Sequence, residues 1–175
     1  MRLLITGAAG FIGSNFTRRL LTGTYPGLEG ARVTVLDKLT YAGVLANLDP
    51  IANDERYSFV EGDICDADLL AQVVPGHDAI VHFAAESHVD RSISEPSAFV
   101  LTNVLGTQKL LQAAVECGVE RFLHVSTDEV YGSIDEGSWT EESPLEPNSP
   151  YAASKASSDL LVRAFHRTFG LDTVI

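Results

Sequence analysis

Apolar residues fall into short blocks separated by amphipathic, polar or glycine-rich stretches. Arg2–Thr6, Arg32–Leu36, Tyr57–Val60, Asp78–Phe83, Arg121–Ser126 and Asp172–Ile175 read as strands. These blocks are almost purely apolar, which predicts a sheet covered on both faces. Helical patterns are predicted over Phe11–Leu21, over Asp66–Val74 and over Ser97–Glu116, the last with apolar positions Val100, Val104, Leu110, Leu111 and Ala114. A final helix is predicted from Pro150 to Thr168, after a polar loop rich in Gly, Ser, Pro and Glu. Strands alternating with helices predict an α/β fold, a doubly wound parallel sheet with helices on both faces.

Size and composition add constraints. The 175 residues suit a single domain, and 45% apolar content suits a buried core. No apolar block approaches the roughly 20 residues of a bilayer-spanning helix. The first residues run directly into a strand, with no signal-peptide cleavage site, so a soluble cytoplasmic protein is expected. The chain stops inside its last strand and so reads as cut short, because an unpartnered apolar edge invites aggregation. A net charge of −12, from 24 acids and 12 bases, disfavours nucleic acid and anionic membranes as partners. An anionic ligand would therefore need local donors. Cys65 and Cys117 form no C-x-x-C pair and read as two buried thiols, and the five histidines show no metal-ligand spacing; no metal is expected.

The first strand ends in Thr6-Gly7-Ala8-Ala9-Gly10-Phe11-Ile12-Gly13. Glycines 7, 10 and 13 sit where a strand turns into a helix, where the backbone turns tightly, approaches a pyrophosphate and packs helix on sheet. The helix start offers free N–H groups and the positive end of its dipole to phosphate. The second strand ends at Asp37, placed to accept hydrogen bonds from the two hydroxyls of an adenosine ribose and to repel a 2′-phosphate, which favours NAD over NADP. After the third strand, Asp63 could face the adenine amine and Ile64 its ring.

Tyr151 and Lys155 are one helical turn apart and share a face, with Ser149 as N-cap and Pro150 as first helical residue. The helix dipole and the Lys155 charge are expected to lower the tyrosine pKa, so that a tyrosinate can take a hydroxyl proton while hydride leaves the same carbon for nicotinamide. Thr127, Asp128 and Glu129 directly follow the fifth strand, at the carboxyl end of the sheet where ligands collect. Thr127 could bind the reacting hydroxyl. The two carboxyls could serve as acid and base if their pKa values are split.

Together these residues resemble the extended short-chain dehydrogenase/reductase family, most closely its dTDP-glucose 4,6-dehydratases. The resemblance is carried by T-G-A-A-G-F-I-G (6–13), D-K-L-T-Y-A-G (37–43), G-D-I (62–64), H-F-A-A-E-S-H-V-D-R-S-I (82–93), T-N-V-L-G-T (102–107), S-T-D-E-V-Y-G (126–132) and P-N-S-P-Y-A-A-S-K-A (147–156). It spans essentially the whole chain, and the T-D-E triplet is its specific part. It implies a Rossmann-like fold and a tightly held NAD recycled through three stages. Tyr151 would deprotonate the hydroxyl on glucose carbon 4 as hydride passes to NAD. Glu129 would remove the proton on carbon 5 while Asp128 protonates the departing carbon-6 hydroxyl. Hydride would then return to carbon 6, giving a 4-keto-6-deoxy sugar.

By the same resemblance Lys155 orients the nicotinamide ribose and Thr127 binds the carbon-4 hydroxyl. Lys38, Leu39 and Thr40 continue the cofactor site from Asp37, and Phe11 and Ile12 belong to its glycine turn. Phe83, Ala84, Ala85, Glu86 and Ser87 line the cofactor channel, Ser87 also reaches substrate, and Thr102 lies near the cofactor. Family members commonly form homodimers through helices equivalent to 97–116 and 150–168, with Ala152, Ala153, Ala156 and Ser157 permitting close packing. They also continue into a C-terminal lobe that grips the nucleotide and is absent from these 175 residues, so the isolated chain is expected to show negligible turnover. Two other readings of the motifs are a sister epimerase or decarboxylase acting on a UDP-sugar, and a non-catalytic NAD-binding module.

Overall fold

The computed structural model describes residues 1–175. Six parallel strands form one sheet: β1 (Arg2–Thr6), β2 (Arg32–Asp37), β3 (Tyr57–Glu61), β4 (Ala79–His82), β5 (Arg121–His124) and β6 (Asp172–Val174). Their spatial order is β3-β2-β1-β4-β5-β6, so the chain winds outward from β1 first one way and then the other. This is the Rossmann order, with its switch point between β1 and β4. Ile5 pairs with Val35 on one side and Val81 on the other.

The apolar strands divide their side chains between two cores. Leu4, Leu36, Ile80 and Phe122 face α5 (Thr107–Glu116) and α6 (Pro150–Phe169), meeting Leu110, Leu111, Val162 and Phe165. Leu3, Ile5, Val33, Val35 and Val81 point the other way, onto Leu20 and Leu21 of α1 (Phe11–Leu21). The period of two thus survives inside blocks that look uniformly apolar. No helix is long and apolar enough to cross a membrane.

Local signals act where expected. Asp66 caps α2 (Ala67–Val73) by accepting from the amides of Asp68 and Leu69. Ser149 caps α6 by accepting from Ala152 N at 3.0 Å, Pro150 opens the helix, and Gly170 closes it in the left-handed conformation with φ 72°.

The single helix expected over 97–116 is instead α4 (Pro96–Phe99), a π-helical segment (Val100–Gly106) and α5. The wider turn moves the apolar stripe: Leu110, Leu111 and Ala114 are buried, but Val100 is 54% exposed. Three short elements had no sequence expectation: α3 (Val89–Ser94) and 3-10 turns at Leu45–Ile51 and Asp128–Tyr131. Each is too short for a helical period to register. The cysteines are free and only half-buried, and Cys65 Sγ donates to Leu101 O at 3.3 Å.

Candidate active site

A cleft of about 360 Å³ opens along the carboxyl ends of the strands, over the switch point. One wall is the glycine turn. Gly7 takes φ 71°, and a Cβ there would overlap Ala84 N of the loop after β4. A Cβ on Gly13 would lie 2.8 Å from Ala8 Cα, so only glycine lets α1 sit this close to β1. Helix α1 begins at Gly10 with no side chain capping its first amides and no acid in its first turn. Uncapped amides and the positive dipole end are features that suit an anion. Phe11 and Ile12 stand at the cleft mouth, 90% and 61% exposed.

Asp37 closes the far side of this turn. It is 8% exposed; Oδ2 accepts from Ala9 N at 2.8 Å and Oδ1 from Leu39 N at 2.9 Å. The carboxylate therefore braces the glycine turn and keeps one lone pair on each oxygen for a ligand. Leu39, at φ 52°, packs against the core on the α1 side and is not part of the cleft wall; Lys38 and Thr40 on either side of it are. Lys38 Nζ donates to Asp63 Oδ2 at 2.6 Å, bridging the ends of β2 and β3. Burial pushes the Asp63 carboxyl up, but Lys38 and the Cys65 amide outweigh it and hold it below its usual value. Ile64, Phe83, Ala84, Ala85, Ser87 and Thr102 complete the wall.

Sequence reasoning missed Asn103. It is buried in the π segment; Oδ1 accepts from Glu86 N at 2.8 Å, and Nδ2 donates to Glu86 O at 2.9 Å and to Ser154 Oγ at 2.8 Å. Ser158 Oγ donates to Asn103 O at 2.7 Å, serving a carbonyl in the widened turn. Asn103 thus ties the loop after β4 to α6 and fixes both cleft walls. The only sequence signal is a polar residue inside an apolar helical stripe. Tyr41 and Arg91 were also overlooked: the guanidinium stacks 4.0 Å from the ring centroid, linking the loop after β2 to α3.

At the β5 end the cleft meets Val125, Ser126, Tyr151 and Lys155. Thr127, Asp128 and Glu129 lie outside the cleft wall, in the turn that follows; the two acids are exposed. All three act on Tyr151. Burial pushes the phenol above its usual value, Thr127 draws it down, and the charges of Glu129 and Asp128 push it up again. The net direction is upward, opposite to the sequence expectation. Burial is the first reason, and Lys155 makes no hydrogen bond to the phenol. Its Nζ turns under the helix to donate to Val125 O at 2.7 Å, with His124 Nε2 at 3.4 Å. Burial lowers Lys155 itself to about 8, against the opposing pull of Asp159.

The acid pair therefore sits in the turn just beyond the Tyr151 end of the cleft, and the glycine turn forms the opposite end. The family model for GDP-mannose 4,6 dehydratases matches residues 4–175. The chain belongs to that family. A dTDP-glucose 4,6-dehydratase of Streptomyces niveus is 64% identical over 175 residues, 100% of this chain and 52% of that protein. The solved structure of DesIV, a dTDP-glucose 4,6-dehydratase of Streptomyces venezuelae with NAD bound, superposes with a TM-score of 0.97 at 69% identity, covering 99% of this chain and 54% of that one. A UDP-glucose 4-epimerase of Thermotoga maritima has the same fold, with a TM-score of 0.86 at 31% identity over 99% of this chain and 53% of its own. The chain spans about half the length of the curated relatives it matches.

Proposed function

We propose that the polypeptide containing these residues is an NAD-dependent lyase that dehydrates a nucleoside-diphosphate glucose, dTDP-glucose, to its 4-keto-6-deoxy product. The observation that carries this reading is the position of Asp128 and Glu129, at the end of β5 with their charges acting on the Tyr151 phenol. An epimerase needs only the phenol; elimination of water also needs an acid and a base beside it.

The residues present fit NAD. Uncapped amides at the start of α1 suit its diphosphate, and Asp37 has free lone pairs for an unphosphorylated ribose. Lys38, Thr40, Asp63 and Ile64 are assigned to the adenosine end, and Phe83, Ala84, Ala85, Ser87, Thr102 and Lys155 to the nicotinamide end. Bound there, NAD supplies an acceptor and then a donor of hydride.

The chain's own residues move the protons. Thr127 holds the carbon-4 hydroxyl, Tyr151 takes its proton, and Ser87 helps to hold the sugar. Once carbon 4 is a ketone, the carbon-5 proton is acidic; Glu129 takes it, and Asp128 gives a proton to the carbon-6 hydroxyl, which leaves as water. A homodimer is part of the proposal. Ala153, Ser157, Leu160 and Ala164 form one unburied face of α6, beside Val100, Leu101 and Leu105 at 54%, 54% and 39% exposure. Ala152 and Ala156, which the sequence suggested for this seam, are 1% and 5% exposed and pack inward. A cytoplasmic location suits both substrate and cofactor.

Separate incubations of the full-length polypeptide that contains these residues with dTDP-glucose and UDP-glucose test the reading. A 4-keto-6-deoxy product from dTDP-glucose is expected. A carbon-4 epimer, or no product with NAD present, would contradict it.

A further inference from the structure

Beneath the Tyr151–Lys155 wall lies a polar cluster that proton transfer to and from the sugar does not use. Asp159 on α6 is 5% exposed, and its Oδ2 accepts from Ser126 Oγ at 2.6 Å. Its Oδ1 makes no hydrogen bond but lies 3.2 Å from His124 Nε2. The same His124 nitrogen is 3.4 Å from Lys155 Nζ. His124 is 1% exposed and its Nδ1 has no partner. Nε2 can serve only one neighbour at a time: it accepts from an ammonium or donates to a carboxylate.

Lys155 is 4% exposed and needs a counter-charge to remain an ammonium in so little water. Other titratable groups around the cluster do not provide it. His82, on β4, has its ring centroid 5.3 Å from that of His124, and it is held neutral, well below its usual value, by burial first and then by His124 and Lys155. Burial likewise lowers His124, against the pull of Asp159. Tyr151, one turn earlier on α6, is kept protonated by burial, and Asp128 and Glu129 act on that phenol. The negative charge that acts on Lys155 is Asp159.

We propose that Asp159 and His124 are positioning residues for Lys155: beside the shared His124 Nε2, Asp159 supplies the buried counter-charge that holds the lysine ammonium at the cleft wall. Ser126, itself in that wall, orients the carboxylate from the other side. The role matters to catalysis only if Lys155 faces the cofactor, so it rests on the reading above.

The test reads Lys155 directly. In protein labelled with ¹³Cε-lysine, the Lys155 signal is identified by its absence from Lys155→Arg. In the wild type, Lys155 is expected to titrate near pH 8. Asp159→Asn keeps a group that can bond Ser126 but removes the charge; the Lys155 midpoint should fall by about one pH unit or more, a roughly tenfold loss of ammonium above the new midpoint. Asp159→Glu should restore most of the difference. A folded Asp159→Asn protein whose Lys155 titrates as in the wild type would overturn the proposal. If that variant does not fold, the wild type decides: the Asp159 carboxyl carbon must inflect at the pH where Lys155 titrates, and its failure to do so refutes the coupling. The readout needs no substrate, so failure of the dehydratase reading would show in the product assay and leave this titration unchanged.

Discussion

Lys155 burdens the fold at neutral pH. Its charge is favoured less in the folded state than in water, since burial lowers it from 10.5 to about 8. Between those values the unfolded chain holds more protons than the folded one, so stability rises with pH across that window; below about 8 both states are protonated and the full cost applies. The shift corresponds to about 3 kcal/mol. Urea unfolding between pH 7 and 10.5 should show this rise in the wild type and lose it in Lys155→Met. Tyr151 has the opposite sign of problem. Its phenol is pushed up, by burial first, so without a ligand it keeps its proton at neutral pH. A difference titration of wild type against Tyr151→Phe should place this phenol above the usual tyrosine value. Adding NAD, whose nicotinamide ring is positive, should bring it down; no movement would mean that the ring binds elsewhere.

At the scale of elements, the β4 loop, the π segment and α6 are held as one unit by Asn103. Asn103→Ala would strand the Glu86 amide and carbonyl in a half-buried loop and remove a partner from Ser154. A loss on the order of 3 kcal/mol is expected, read from the urea midpoint at unchanged slope. This bracing is the part of the site that the sequence hid. The glycine turn, Asp37 and the Ser149–Pro150 helix start were legible because each is a local device whose residue types state their backbone geometry. The six strands were legible because apolar blocks between polar turns leave few other readings. The π segment was not, because it depends on partners far along the chain: Gly106, where a Cβ would lie 2.7 Å from Ile64 Cδ1, and the Ser158 hydroxyl. The Lys155–Tyr151 spacing was read correctly as a shared helix face, but a shared face does not bring side-chain tips together. Lys155 was drawn instead to a strand-end carbonyl.

At the scale of the molecule, the carboxyl ends of the strands gather the residues proposed to hold cofactor and move protons, and α6 links that end to an exposed flank. Leu160 is 54% exposed on the flank of the helix that carries Tyr151 and Lys155. Leu160→Arg should convert the proposed dimer to monomer in sedimentation velocity, leaving the circular dichroism spectrum intact. The central claim is that the phenol and the acid pair act on one sugar at one place. Turnover of dTDP-glucose in heavy water by Glu129→Gln beside the wild type tests it most directly. Wild-type product should carry deuterium at carbon 5. The variant should form no 6-deoxy product and exchange no carbon-5 proton, yet still oxidise carbon 4. A Glu129→Gln enzyme that makes the deuterated product at the wild-type rate would contradict the account.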